Sequence, residues 1–275
     1  MSGENFVFNI VNGVYKKTIK LFVNPYKKAG YNWLEVRKLK NLPDHTLQTV
    51  KLFGRNFSFT SRDEFIHSLK EIFIEEIYKQ RLNAKPYIID CGANIGVSVI
   101  YLKRLFPDAK IIAFEPDELN FDLLKKNIQS FHFDNVELRK EAIWKENTQL
   151  SFVNTGSLMS KIQEKTAAEN TTTVKATRLK DLMIQNIDFL KIDIEGAEYQ
   201  VLKDIEENLH FVHNMFIEYH GTFEQNNELN EILQMISNKG FQYYLKHALD
   251  KHPVPFVRIP SVDYDVQLNI FCFRK

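Results

Sequence analysis

Glycine and proline are scarce in this chain, with 10 and 8 among 275 residues. Together they reach about half of the usual share of roughly 12 %. So few breakers exclude a collagen-like or low-complexity chain and a string of small modules on linkers. Cysteine is rarer still: Cys91 and Cys272 stand far apart and form no CxxC pair. That excludes a disulfide scaffold or a thiolate zinc site and suits a reducing compartment. No apolar run approaches the ~18 residues of a membrane helix. The start, Met1-Ser2-Gly3-Glu4-Asn5, lacks the charged n-region and apolar stretch of a signal peptide, so a cytoplasmic protein is expected. Charge of one sign is missing as well: 36 Lys+Arg against 35 Asp+Glu leave a net +1. No overall field draws the chain to nucleic acid, and no nucleic-acid partner is expected.

Bulky core material is plentiful. Hydrophobic residues make up 44 %, with 22 Phe and 11 Tyr. A chain of this size buries about three-quarters of its unfolded surface, which excludes disorder for its bulk. Residues 1–60 form an irregular extension in which Pro25, Pro43 and Gly54 interrupt short apolar runs; a helix and a small strand pair are expected there. Its basic residues, among them Lys16, Lys17, Lys20, Lys27 and Lys28, alternate with aromatic and aliphatic ones. They suit either a solvated amphipathic helix or a weak peripheral contact with anionic lipid.

The remainder, 61–275, reads as one α/β domain. Ser61 and Glu64 have capping-box spacing before an apolar face formed by Phe65, Leu69, Ile72 and Phe73. From Pro86 onward, strands alternate with helices. Strands are expected at 87–90, 111–114, 136–143, 189–194, 215–219, 241–245 and 266–273, and helices at 95–106, 117–130, 197–208 and 228–238. Residues 147–180 are polar and read as hairpin and loop. This alternation implies a mostly parallel, doubly wound sheet, whose ligands bind beyond the carboxyl ends of the strands.

The first of those strands carries Asp90-Cys91-Gly92-Ala93-Asn94-Ile95-Gly96 into a helix. The spacing DxGxxxG differs from the GxGxxG of a dinucleotide loop, which argues against a nicotinamide-dependent oxidoreductase, the rival enzyme class. A carboxylate ending the strand repels phosphate but suits an ammonium or sulfonium, and S-adenosylmethionine carries both. Gly92 would let the backbone approach this ligand, and Gly96 would let the helix pack on the strand. Glu115 ends the next strand, 25 residues after Asp90, where an acid accepts both hydroxyls of a ribose. Ala142 and Ile143 end the third and would flank an adenine.

Acidic residues gather on the fourth strand and its exit, Lys191-Ile192-Asp193-Ile194-Glu195-Gly196-Ala197-Glu198. Strand alternation puts Lys191, Asp193 and Glu195 on one face. Glu198 falls in the first helical turn, where the macrodipole favours negative charge. Glu218 and His220 share a face at the end of the fifth strand. Methyl transfer to a hydroxyl needs alignment and a base, and Asp193, Glu195 or His220 could each supply the base. The same three could hold a hard divalent cation.

These segments resemble the FkbM-type family of S-adenosylmethionine-dependent methyltransferases. The likeness rests on IIDCGANIG at 88–96, AFEPDELNFDLLKKNI at 113–128, LKIDIEGAEYQVLK at 190–203 and IEYHG at 217–221. It implies a class I methyltransferase fold, a Rossmann-like, mostly parallel seven-stranded sheet with an N-terminal helical extension. It also implies O-methylation of a hydroxyl on a sugar or natural product, with S-adenosylhomocysteine as by-product. By matching positions, Asp90, Gly92, Asn94, Gly96 and Glu115 would carry the cofactor. Asp193, Glu195, Glu198, Glu218 and His220 would line the acceptor side, and a glycan or glycolipid is the acceptor expected. A non-catalytic nucleoside-binding module is the third reading, disfavoured by the complete carboxylate cluster.

Overall fold

Apolar runs with turn signals at both ends build the central strands. Ile88, Ile89, Ile111, Ile112, Ala113, Leu190 and Ile192 are all buried, as expected of parallel strands covered on both faces. The structure, a computed structural model, describes residues 24–153, 161–163, 171–257 and 264–274. The basic residues Lys16, Lys17 and Lys20 therefore lie outside the described residues. The chain divides into two compact units, 1–77 and 78–275.

In the first unit, helix α1 (Trp33–Lys40) is followed by a hairpin of β1 (Gln48–Leu52) and β2 (Arg55–Phe59) and by helix α2 (Arg62–Ser68). Asn32 caps α1 with a complete capping box. The unit is thus a mixed α+β piece rather than a helical extension. Ser61 caps α2 through the Glu64 amide, and a π-helical stretch, Leu69–Ile74, continues it. Phe65 stacks on Phe57 and Phe59, with ring centroids 4.9 and 4.4 Å away. That stack joins α2 to the hairpin, so the unit boundary falls after residue 77 and not after 60. Of the described basic residues, Lys28 pairs with Glu76 and Lys40 lies over the Tyr26 ring.

The second unit is built on β3 (Tyr87–Cys91), β4 (Lys110–Phe114), β5 (Val136–Arg139), β10 (Ile187–Ile192), β11 (Val212–Gly221), β12 (Gln242–His247) and β13 (Val266–Phe273). They form a seven-stranded sheet in the order β12-β13-β11-β10-β3-β4-β5. The five strands from β11 to β5 are parallel, and β13 runs antiparallel between β11 and β12. Helices α3 (Val97–Leu105), α4 (Glu118–Phe131), α5 (Glu198–Ile205) and α6 (Asn226–Asn238) connect the strands. Asp117 starts α4 by accepting the Asn120 amide at 2.9 Å. This is the doubly wound, mostly parallel seven-stranded sheet expected, and its order reverses direction between β3 and β10.

Two strands differ from expectation. The run 136–143 breaks at Lys140 and Glu141: β5 stays on β4, while β6 (Ala142–Trp144) pairs with β9 (Thr171–Arg178). With β7 (Thr148–Val153) and β8 (Lys161–Gln163), these form a second sheet in the order β6-β9-β7-β8. The polar stretch after 147 thus supplies antiparallel pairs, as the expected hairpin would, and also joins β6 in a sheet of its own. The fourth strand ends at Ile192, whose pairing with Cys91 of β3 is closed by the Asp193 amide donating to Cys91 O at 3.0 Å. Asp193 and Glu195 therefore sit in a loop and not on a strand face.

Candidate active site

The carboxyl ends of β3, β4 and β10 and the start of β6 enclose a cleft of about 600 Å³, its open mouth included. It lies at the switch point, where parallel sheets bind their ligands. Five carboxylates border it, those of Glu115, Asp117, Glu141, Asp193 and Glu195, and no basic side chain does. Phe114, Ala142, Ile143 and Ile194 supply its apolar wall.

Glu115 is buried on this wall. Its carboxylate accepts the amides of Asn94 and Asp117, each at 2.9 Å. Burial pushes its pKa up to about 8 despite those two hydrogen bonds. Asn94 holds a left-handed φ of 49°, and its Oδ1 is buried with no hydrogen-bond partner among the described residues.

Two residues expected at the cofactor, Asp90 and Gly96, are not among those lining the cleft. Asp90 is fully buried beneath the cleft, not on its wall. Its Oδ2 accepts from Ser98 Oγ at 2.6 Å, and its Oδ1 lies 3.4 Å from Lys191 Nζ. The chain's own ammonium occupies the place that a ligand's ammonium was expected to take. Gly96 starts α3 at a φ of 93°, and a Cβ there would meet Leu124 Cδ1 of α4 at 2.8 Å. It allows two helices to pack closely, rather than a helix and a strand. Gly92 does border the cleft, yet its added Cβ would lie 1.8 Å from Asp193 O.

Lys191 ties these parts together. It is buried, donates to Gly92 O at 2.7 Å and to Asp193 Oδ2 at 3.0 Å, and so links the loop after β3 to the loop after β10. Burial alone would lower its pKa, but Asp193 and Asp90 hold it well above the usual lysine value. Sequence alternation showed a lysine on the strand; that it would be buried as a cross-link between loops had no local signal.

On the other side of Glu195 lies a buried network around His220. His220 Nδ1 is 3.2 Å from Glu198 Oε1, and its Nε2 is 3.7 Å from Glu195 Oε2 and 3.8 Å from Glu218 Oε1. Burial opposes protonation, but Glu198, then Glu195 and Asp193, push the His220 pKa up to about 10. His220 therefore keeps its proton at neutral pH, which takes it out of the general-base role. Glu198 is buried and does not face the cleft. It accepts the amides of Ile194 and Gly196 at 3.1 Å, which makes it the brace of the 193–197 loop rather than a substrate-side residue. Glu218 is held by the Gln267 amide at 2.6 Å, away from the cleft.

Asp193 and Glu195 are the two acids of the cluster that reach the cleft. Glu195 holds a left-handed φ of 57°, and its Oε2 has no hydrogen-bond partner among the described residues. Tyr264, which the sequence reading missed, fixes the loop by donating to Glu195 O at 2.6 Å. Burial, with Asp193 and Glu198 nearby, raises the Glu195 pKa to about 7 against the pull of His220. Asp193, Glu195 and His220 can each bring one donor atom within 4.8 Å of the others. A cation bound there would have to displace the His220 proton.

The donor set suits a nucleoside that carries positive charge. Glu115 stands where a ribose diol would be accepted, and the apolar wall can hold a base. A lining with acids but no basic side chain among its described residues favours a sulfonium and ammonium over a pyrophosphate, although Lys175, Lys191 and His220 pair with Glu141, Asp193 and Glu195.

Comparison with known proteins agrees with this class of site. Residues 90–243 match the family described as the methyltransferase FkbM domain. Methyltransferase sdnD of Sordaria araneosa is 30 % identical over 220 residues, covering 65 % of this chain and 82 % of that one. Methyltransferase 1 of Beauveria bassiana is 28 % identical over 182 residues, 56 % of this chain and 72 % of its own. A solved FkbM methyltransferase from Methylobacillus flagellatus aligns with a TM-score of 0.48 and 17 % identity, over 74 % of this chain and 47 % of that one. This chain belongs to the FkbM family of S-adenosylmethionine-dependent methyltransferases. No helix among the described residues is long and apolar enough to cross a membrane.

Proposed function

We propose that the protein methylates a hydroxyl oxygen, with a sugar of a glycan or glycolipid as the acceptor. The observation that carries this reading is Glu195, which borders the cleft, has its buried Oε2 3.7 Å from His220 Nε2 and has a pKa raised to about 7. A carboxylate so placed is a usable base near neutral pH. S-adenosylmethionine supplies an electrophilic methyl on a cationic sulfur. Glu115, Asn94 and the apolar wall around Ala142 and Ile143 would hold its nucleoside, and Asn94 Oδ1 and Asp193 would face its cationic end. With that methyl offered to the acceptor oxygen, Glu195 would take up the hydroxyl proton. Asp193, the other acid of this loop on the cleft, would orient that hydroxyl. His220 and Glu198 hold the Glu195 loop in place, and Asp90 acts beneath it through Lys191.

The test is incubation with methyl-labelled S-adenosylmethionine and a glycolipid extract, followed by mass spectrometry. Label should appear on an oxygen of the carbohydrate, should be lost with Glu195→Gln, and should persist in EDTA. Label on nitrogen or carbon would overturn O-methylation, and loss in EDTA would assign a cation to the acid cluster.

A further inference from the structure

A second cavity, of about 1400 Å³ with its open mouth, lies beyond β11 and β13. Its inner end is polar. His252 Nε2 lies 3.3 Å from Asp265 Oδ1 and has no hydrogen-bond partner among the described residues, although the side chain is only 12 % exposed. Asp265 is anchored from behind, its Oδ2 accepting the Phe223 amide at 3.1 Å. The Phe223 ring lies against His252, with centroids 5.1 Å apart. Gln267 completes this end. At the exposed end Leu249 is half exposed and Phe256 fully exposed, beside the polar His247, Asp250 and Lys251. An uncovered phenylalanine beside a cavity costs solvation free energy unless something covers it.

The two cavities have no lining residue in common, but a chain of side chains runs between them. Gln267 borders the second, donates to Glu218 Oε1 at 2.6 Å and lies 3.2 Å from His220 Nε2. His220 is in turn 3.7 Å from Glu195, which borders the first. Two side chains, Gln267 and His220, thus separate the inner end of the second cavity from Glu195.

We propose that this cavity is the acceptor pocket and that it takes a hydroxylated head group carried on an apolar scaffold. The proposal rests on the reading of the first cleft as the methyl-donor site. His252, Asp265 and Gln267 offer donors and an acceptor to hydroxyls, and Leu249 and Phe256 cover the apolar part. A free polyol would leave that rim wet, and a plain hydrocarbon would leave the His252–Asp265 pair unsatisfied. His252 is a positioning residue here, orienting a hydroxyl and taking no part in bond making.

The experiment titrates the protein with octyl β-glucoside and with methyl β-glucoside by calorimetry, with and without S-adenosylhomocysteine. The octyl compound should bind at least tenfold more tightly than the methyl one. Phe256→Ser and Leu249→Ser should each weaken the octyl glucoside threefold or more and leave methyl glucoside unchanged. His252→Ala should weaken both glucosides. All three variants should bind S-adenosylhomocysteine within twofold of wild type, which also shows that they are folded. Equal binding of the two glucosides, no binding of either, or octyl binding unchanged in the rim variants would overturn the proposal. So would self-association that Phe256→Ser abolishes in the absence of glucoside binding, because the rim would then be a protein contact. Failure of S-adenosylhomocysteine to bind the wild type would sink the donor-site reading instead, and the titrations without it would still decide the pocket.

Discussion

Glu195 and Asn94 both hold a φ near +50° on the wall of one cleft. For residues with a Cβ this conformation costs about 1–3 kcal/mol each and persists only where the surroundings enforce it. Asn94 is fixed by its amide on Glu115, and Glu195 by Tyr264 on its carbonyl. Glu195→Gln keeps the shape and removes the base. We expect kcat to fall about 10²- to 10⁴-fold, with S-adenosylhomocysteine affinity changed less than threefold, read by steady-state kinetics and calorimetry. Gly92→Ala is the backbone counterpart. Its φ of 92° and the Asp193 carbonyl in its way should cost about 2 kcal/mol or more. Urea unfolding measures that loss, and ligand affinity should fall with it, because the strain lies between the two loops that Lys191 joins.

Among the elements, the loop after β10 decides the most. Glu198 braces it through two amides and His220. Glu198→Ala leaves those amides and a buried imidazolium without their partner, a loss of about 3–5 kcal/mol to be read as a lower urea midpoint. The sequence displayed this loop's acids but not their division of labour. Alternation put Asp193, Glu195 and Lys191 on one face; in the chain they serve as cleft acids and a buried cross-link, because β10 ends at Ile192 and leaves only Lys191 on the strand. Strand 136–143 was legible as apolar and extended, yet nothing local says that a strand changes sheet at Lys140. Glycine spacing marked the turns correctly. What met each glycine, Asp193 O or Leu124, depended on elements distant in sequence.

At the level of the whole molecule, the parallel sheet and its order follow from alternating buried runs and helical spacers, and the cleft sits where that topology puts it. The charge network sets the pH response. His220 titrates near 6.5 when unfolded and near 10 when folded. Its stabilising contribution is therefore fully present below about pH 6.5 and is lost as pH rises through about 10. Glu115, raised from 4.5 to about 8, also binds more proton when folded, so stability falls across that window too. The melting temperature of the wild type should drop between pH 7 and 10, and His220→Gln should flatten that slope. An unchanged slope would mean that His220 is neutral when folded. The most direct test of the account is calorimetric titration with S-adenosylhomocysteine. Wild type and Glu195→Gln should bind alike, while Glu115→Ala should bind at least 30-fold more weakly. Equal affinity for Glu115→Ala and wild type would contradict the placement of the methyl donor in this cleft.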